Sequence, residues 1–177
     1  MDEGSLPTFE KLRREGAAGP FESTIPANTP VAWPSIATGC DPAGHGLFEF
    51  TKLNRQYGHR PNTAADRTRP AIWDIVSPAI VGNVPMTFPA SEFDGEMATG
   101  MMTPDDTSAF TYPSELGEAI DRRIPDYEIG LDWKEYFGRQ EAFLDALDGL
   151  LSNRRELMRL LLDRTDWKLS FFVYTAP

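Results

Sequence analysis

Cysteine, histidine and long apolar runs are all scarce in this chain, and so is positive charge. Cys40 is the single cysteine, so no disulfide can form within the chain and nothing points to an oxidising compartment. The longest apolar runs, "LMRLLL" and "LSFFVY", fall far short of the roughly 20 residues that cross a bilayer, which argues against a membrane partner. Seventeen Lys and Arg stand against 27 Asp and Glu, a net charge of -10. Such a surface repels phosphate unless its cations cluster, and "RRELMR" and "DRRIP" are too interleaved with acids and apolar residues to do so; a nucleic-acid duplex is therefore excluded as a partner. The opening "MDEGSLPTFEKL" has acids where a signal peptide needs a basic flank, so the expected location is cytoplasmic. There is no internal repeat and no low-complexity tract.

What is present suits one domain. At 177 residues and 41% hydrophobic the chain can bury a core, but it is short for two. Helix and strand signals alternate along it. "LPTFEKLRREG" reads as a short helix capped by Thr8 and closed by Gly16, and "FESTIP" as a strand. "TPVAWPSIATG" predicts a helix opened by Thr29, with Pro30 at its first position and Pro34 in its first turn or so. Residues 51 to 69 read as an exposed polar loop, "RPAIWDIVSP" as helical, and "AIVGNVPM" and "EMATGMM" as strands. "YPSELGEAIDRRIP" carries a helix capped by Ser114, and "YEIGL" a short strand. From Arg139 to Asp166 the recurrence of Phe143, Leu147, Leu151, Met158 and Leu161 or Leu162 predicts a long helix, loosened near Ser152 and Asn153. "KLSFFVYT" reads as a strand buried on both faces. The alternation implies an α/β fold with crossover connections.

The least ordinary stretch is "NTPVAWPSIATGCDPAGHGLFEF", residues 28 to 50. A helix starting at Thr29 places its hydroxyl beside unsatisfied N–H groups at the positive end of the dipole, where phosphate binds well. Thr before Pro is also ordinary cap grammar, and the pair recurs at Thr103 ahead of Asp105 and Asp106. His45 either fixes a loop by a hydrogen bond or supports a nearby site, and His59, in a polar loop, is solvated. Cys40 begins "CDPAG", which lacks the Arg of a sulfatase Cys-x-Pro-x-Arg signature at Gly44 and reads as a small buried thiol. Trp33 and Phe48 are core or pocket wall. Asn83 ends a strand, where open α/β sheets place ligand contacts, although Asn is also a common turn former. Asp94, Asp105 and Asp106 have the chemistry to bind a cation but lie in the kind of loop where acids are solvated.

The run from "LPTFEKLRREG" to "HGLFEF" resembles the amino-terminal part of the alkaline phosphatase superfamily, specifically the type I phosphodiesterase/nucleotide pyrophosphatase group and its prokaryotic phosphohydrolase relatives. Those proteins pass from a helix ending in Gly, through a strand, into Thr-Pro-x-x-Trp-x-Ser-x-x-Thr-Gly and on to His-Gly-hydrophobic-Phe. "RPAIWDIVS", "NVPMTFP" and "DWKLSFFVYT" are similar in order and spacing, so the likeness covers nearly the whole chain.

The resemblance implies an alkaline phosphatase-like, mostly parallel sheet flanked by helices. It implies that Thr29 is a nucleophile that forms a phosphoryl-enzyme intermediate and touches one of two divalent metals, usually Zn and in some relatives Mn. A Thr hydroxyl is a poor nucleophile until a metal stabilises its alkoxide, so this chemistry is coherent. Asn83 and Trp33 are then substrate-pocket residues for a small phosphate ester, and His45 a supporting one. About six protein ligands hold such a metal pair. The group's first metal-binding Asp precedes its first helix, and its remaining Asp and His ligands follow the strand that "LSFFVYT" resembles. With two histidines in 177 residues, the expectation is an incomplete fold, residues 1–177 forming the nucleophile half and inactive alone. The alternative from another class is a phosphate- or nucleotide-binding remnant without catalysis.

Overall fold

The computed structural model describes residues 6–104, 109–164 and 166–175. In chain order its elements are α1 (Pro7–Glu15), α2 (Thr29–Thr38), α3 (Pro42–His45), β1 (Thr51–Leu53), β2 (His59–Pro61), α4 (Ile72–Ile75), β3 (Ala79–Val84), β4 (Gly95–Thr99), β5 (Thr111–Tyr112), α5 (Ser114–Arg123), α6 (Gln140–Arg164) and β6 (Leu169–Phe172). Short 3-10 turns at Ala64–Asp66 and Trp133–Tyr136 complete the set.

The core is built around β3, whose six residues are all buried. Two strands flank it, β4 and β6, both parallel to it, and β5 pairs antiparallel with β4, giving the order β5-β4-β3-β6. A strand enclosed on both edges and both faces favours apolar residues on both, which is why "AIVGNV" shows no polar alternation and Asn83 is its single polar residue. Its side chains still alternate. Ala79, Val81 and Val84 pack with Met97 and Phe171 on one face, joined by Trp33 and Ala37 of α2 and Trp73 of α4. Ile80 packs with Ala98 and Phe172 on the other, against Leu116 and Ile120 of α5 and Leu157 and Leu161 of α6. The protein is thus an α/β sandwich with a mostly parallel sheet between helical layers, as the sequence implies.

Several sequence expectations are corrected. "FESTIP" forms no strand: Phe21 and Ile25 are 95% and 93% exposed, and no neighbouring strand satisfies the segment's backbone. "YEIGL" forms none either, because the Glu128 and Ile129 carbonyls accept from the Arg154 guanidinium instead of a ladder. The supposed loop at 51–69 contains the β1–β2 hairpin, closed over Asp66, which takes Lys52 and both terminal nitrogens of Arg60. The Arg60 fork and the Lys52 ammonium hold the Asp66 carboxyl well below the usual range. Helix caps are displaced by one or two residues: Leu6, not Thr8, precedes α1, and Pro113, not Ser114, precedes α5. Pro34 lies inside α2 rather than in its first turn.

Helix α6 is continuous through Ser152 and Asn153, and Asn153 donates to the Asp126 carbonyl at 2.8 Å. Its buried seam is Leu150, Arg154, Leu157 and Leu161; of the residues that apolar periodicity selects Leu161 is in it, while Phe143, Leu147, Leu151 and Met158 lie beside it, half-buried. Strand β6 is half-buried rather than buried on both faces, since among the described residues it pairs only with β3. Asp105 and Asp106 lie outside the described residues.

The end of α6 is tied to the sheet by Arg164, whose Nε donates to Glu96 Oε2 at 2.8 Å and whose second nitrogen reaches Oε1 at 3.0 Å. Glu96 is 9% exposed, so removing its partner leaves a poorly solvated carboxylate. Arg164→Met is expected to cost about 2 kcal/mol, between the worth of an exposed pair and the penalty of a broken buried one. Urea unfolding midpoints check this; a loss below about 0.5 kcal/mol would show that water compensates Glu96 fully.

Candidate active site

Helix α2 begins with Thr29 itself as its first helical residue, and the cap position belongs to Asn28. The Asn28 carbonyl accepts from Val31 N at 3.2 Å and Ala32 N at 2.9 Å, and Pro30 has no N–H to offer. The first turn therefore presents one free main-chain donor, that of Thr29, not the open row of four that a bare helix start leaves. Among the described residues neither this N–H nor the Thr29 hydroxyl has a hydrogen-bond partner. Thr29 is half-buried. The Asn28 amide oxygen beside it is buried without a partner.

The other polar side chains of the stretch are committed to structure. Thr38 Oγ1 donates to the Pro34 carbonyl at 2.7 Å and accepts from Cys40 N at 3.2 Å, while Gly39 closes the helix in the left-handed region at φ 66°. Asp41 caps α3 through Gly44 N at 2.7 Å. His45 is fully buried, and its Nδ1 accepts from Leu47 N at 3.2 Å. That acceptor role places the ring proton on Nε2, which meets Ser35 Oγ at 2.9 Å. Burial lowers the His45 pKa, against the opposing pull of Asp41 and the Val31 carbonyl, so the ring is neutral. Thr68 completes the clamp, its N donating to the His45 carbonyl at 3.1 Å and its hydroxyl to Gly44 O at 2.9 Å. Cys40 is half-buried, with its thiol 3.6 Å from the Thr38 carbonyl. Trp33 is half-buried and packs on the core beside Trp73, and Phe48 is exposed.

Asn83 lies at the carboxyl end of β3, completely buried and in the left-handed region at φ 56°. The β3–β4 register shifts between Gly82 and Val84, so Asn83 is the extra residue of a bulge, a conformation that Asn tolerates. Its Nδ2 donates to the Val173 carbonyl at 2.6 Å and lies 3.3 Å from Thr175 Oγ1, while its Oδ1 is buried with no partner. Around it runs a hydroxyl network that sequence reasoning misses. Thr87 donates to the Val84 carbonyl at 2.6 Å, Thr103 to the Gly100 carbonyl at 2.6 Å, and Thr99 and Thr103 share a bond of 2.8 Å. Nothing in the sequence marks Thr87 or Thr99, and Thr103 stands out only as the second Thr-Pro pair. No hydrogen bond joins Thr29 to Asn83 or His45.

The whole chain, residues 1–177, matches the model of the type I phosphodiesterase / nucleotide pyrophosphatase family. The chain belongs to that family. No curated protein and no solved structure matches it. This is a family of phosphodiesterase and nucleotide-pyrophosphatase hydrolases within the alkaline phosphatase superfamily, and the ordered Thr-Pro, Ser and His-Gly segments of this type I phosphodiesterase-family chain are those that converge around α2. No helix among the described residues is long and apolar enough to cross a membrane.

Proposed function

We propose that this chain carries the nucleophile of a phosphoric ester hydrolase acting on small phosphodiesters or nucleotides, with Thr29 as the residue that takes the phosphoryl group. One observation supports this above all. Within the stretch from Thr29 to Leu47, Ser35, Thr38, Asp41 and His45 all have hydrogen-bond partners, whereas the Thr29 hydroxyl has none. A side chain kept for a cap would be bonded to the second or third N–H of its helix. In the proposed step the Thr29 hydroxyl gives its proton to solvent as its oxygen bonds to phosphorus, the bond to the leaving alkoxide breaks and the alkoxide takes a proton from water, and the free Thr29 N–H at the positive helix end faces the phosphoryl oxygens. His45 is not the base for this step, because its one lone pair accepts from Leu47 N and the ring is sealed from solvent.

Two divalent metals, Zn or Mn, belong to this reading through the family, and the residues described here do not fit them. No group of three or more His, Cys, Asp and Glu converges among the described residues, and both His45 nitrogens are engaged. The proposal therefore assigns this chain the nucleophile, with Thr29 the one residue offered to a metal, and expects no sustained turnover from residues 1–177 alone. The same lack of ligands favours a second reading, a phosphate-binding remnant without catalysis.

Incubation with a p-nitrophenyl phosphodiester and Zn²⁺ or Mn²⁺, acid quenching and peptide mass analysis separate these readings. A phosphoryl group on Thr29, absent from Thr29→Ala, is the expected result. A label on any other residue overturns the assignment of the nucleophile. No label, with inorganic phosphate binding that needs Thr29, favours the remnant. Multiple turnovers that Thr29→Ala abolishes would refute the expected inactivity of residues 1–177.

A further inference from the structure

A cavity of about 870 Å³ lies on the α6 side of the sheet, not at α2. Its walls come from Met101 and Met102 after β4, from Phe143, Leu147 and Leu150 of α6, and from Trp133. That size and apolar lining fall in the range of sites for drug-sized molecules, roughly 300–1,000 Å³. A single buried cation is set into this wall. Arg154 occupies the apolar seam of α6 and is 0% exposed.

The partners of that guanidinium are all neutral. One terminal nitrogen donates to Tyr127 Oη at 3.3 Å and the Glu128 carbonyl at 3.1 Å, the other to the Ile129 carbonyl. The Arg154 Nε is buried and has no hydrogen-bond partner among the described residues. The Tyr127 ring lies under the guanidinium at 6.0 Å. Among the described residues no carboxylate pairs with Arg154, and Asp132, exposed at the cavity mouth, accepts from Lys134 N. A buried charge is ordinarily paired, and arginine stays protonated at any physiological pH. A buried cation without an ion-pair partner favours an anion at its end of the cavity, while the one carboxylate of the described lining, Asp132, stands exposed to solvent where its field is screened.

The geometry points to a ligand site in this cavity for an amphipathic anion, its apolar or aromatic body against Phe143, Leu147 and Trp133 and its anionic head toward Arg154. The site is separate from the reading of Thr29. Helix α2 packs on the opposite face of the sheet, with Trp33 and Ala37 in a cluster that shares no residue with the cavity lining. Loss of either assignment therefore leaves the other standing.

Calorimetric titration of the chain with four ten-carbon probes, decanoate, decyl phosphate, decanol and decyltrimethylammonium, tests the site. Both anions, or one of them, are expected to bind at least tenfold more tightly than decanol, and the cation most weakly; the two anions tell a carboxylate from a phosphate preference. Leu147→Trp, which intrudes on the wall that takes the apolar body, is expected to weaken binding of all four at least tenfold. Arg154→Met is expected to reduce the preference for the anion over decanol to about onefold. If that variant does not fold, the wild-type head-group series and Leu147→Trp decide. Equal affinity for all heads, no binding, or binding that Leu147→Trp leaves intact would overturn the proposal.

Discussion

Gly100→Ala is expected to destabilise the protein by about 3 kcal/mol or more, at the upper end of the cost of overpacking, and to leave little folded chain. A Cβ built on Gly100 meets the Asn83 carbonyl carbon and oxygen at 2.5 Å and the Val84 oxygen at 2.7 Å. These are main-chain atoms, so no rotamer change relieves the contact. The backbone cannot retreat easily either, because β3 is paired on both edges and Asn83 is held by its bond to the Val173 carbonyl. Gly100 is itself fixed, its N–H donating to Val84 O at 3.2 Å and its carbonyl accepting from Thr103. Gly130→Ala is the control, since a Cβ there has nothing within 4 Å, and its unfolding free energy is expected to change by less than about 0.5 kcal/mol. Urea denaturation of the two variants checks the pair. A Gly100→Ala protein as stable as the parent would mean that the bulge at Asn83 can open, and the buried setting of the Asn83 amide would then be lost as an argument for a site.

How far the sequence carries the fold depends on which force sets each element. The run "AIVGNV" is legible because a strand enclosed on every side has little room for polar side chains. Helix α2 is legible because Pro30 and Gly39 act locally. "YEIGL" is not, since its apolar residues suit a strand and only the tertiary demand of Arg154 for carbonyls takes its backbone elsewhere. The seam of α6 misleads for the same reason. A pattern search prefers Leu151 and Met158, and an arginine at the buried position looks like a solvated one until its carbonyl partners are known. At the site, Thr29 stands out by its motif. The bulge at Asn83 does not, because the adjacent Gly82 is the more natural bearer of a positive φ. Thr87, Thr99 and Thr103 gain meaning only from a register that places the ends of β3 and β4 together.

His45→Ala is expected to cost about 3 kcal/mol, because it empties a fully buried volume and strands two hydrogen-bonding groups at once. Leu47 N loses its acceptor and Ser35 Oγ its donor. Ser35→Ala, which removes one bond and little volume, is expected to cost nearer 1 kcal/mol. The same burial gives a pH signature. The His45 pKa is lowered in the folded protein, so below its ordinary value of 6.5 the unfolded chain binds a proton that the folded chain does not. Stability from this residue is complete above about pH 6.5 and declines as pH falls, levelling off once the folded pKa is passed. Urea midpoints between pH 8 and pH 5 read this slope, and in His45→Gln its histidine component is expected to vanish. An unchanged slope in His45→Gln, or a His45→Ala loss under about 1 kcal/mol, would show that the ring is not the clamp described here. Because Ser35 lies on the same helix as Thr29, releasing it frees α2 from the α3 turn. Phosphoryl labelling of Thr29 is therefore expected to fall in His45→Ala at temperatures where the protein is still folded, while His45→Gln, which can still accept from Leu47 N, retains more of it.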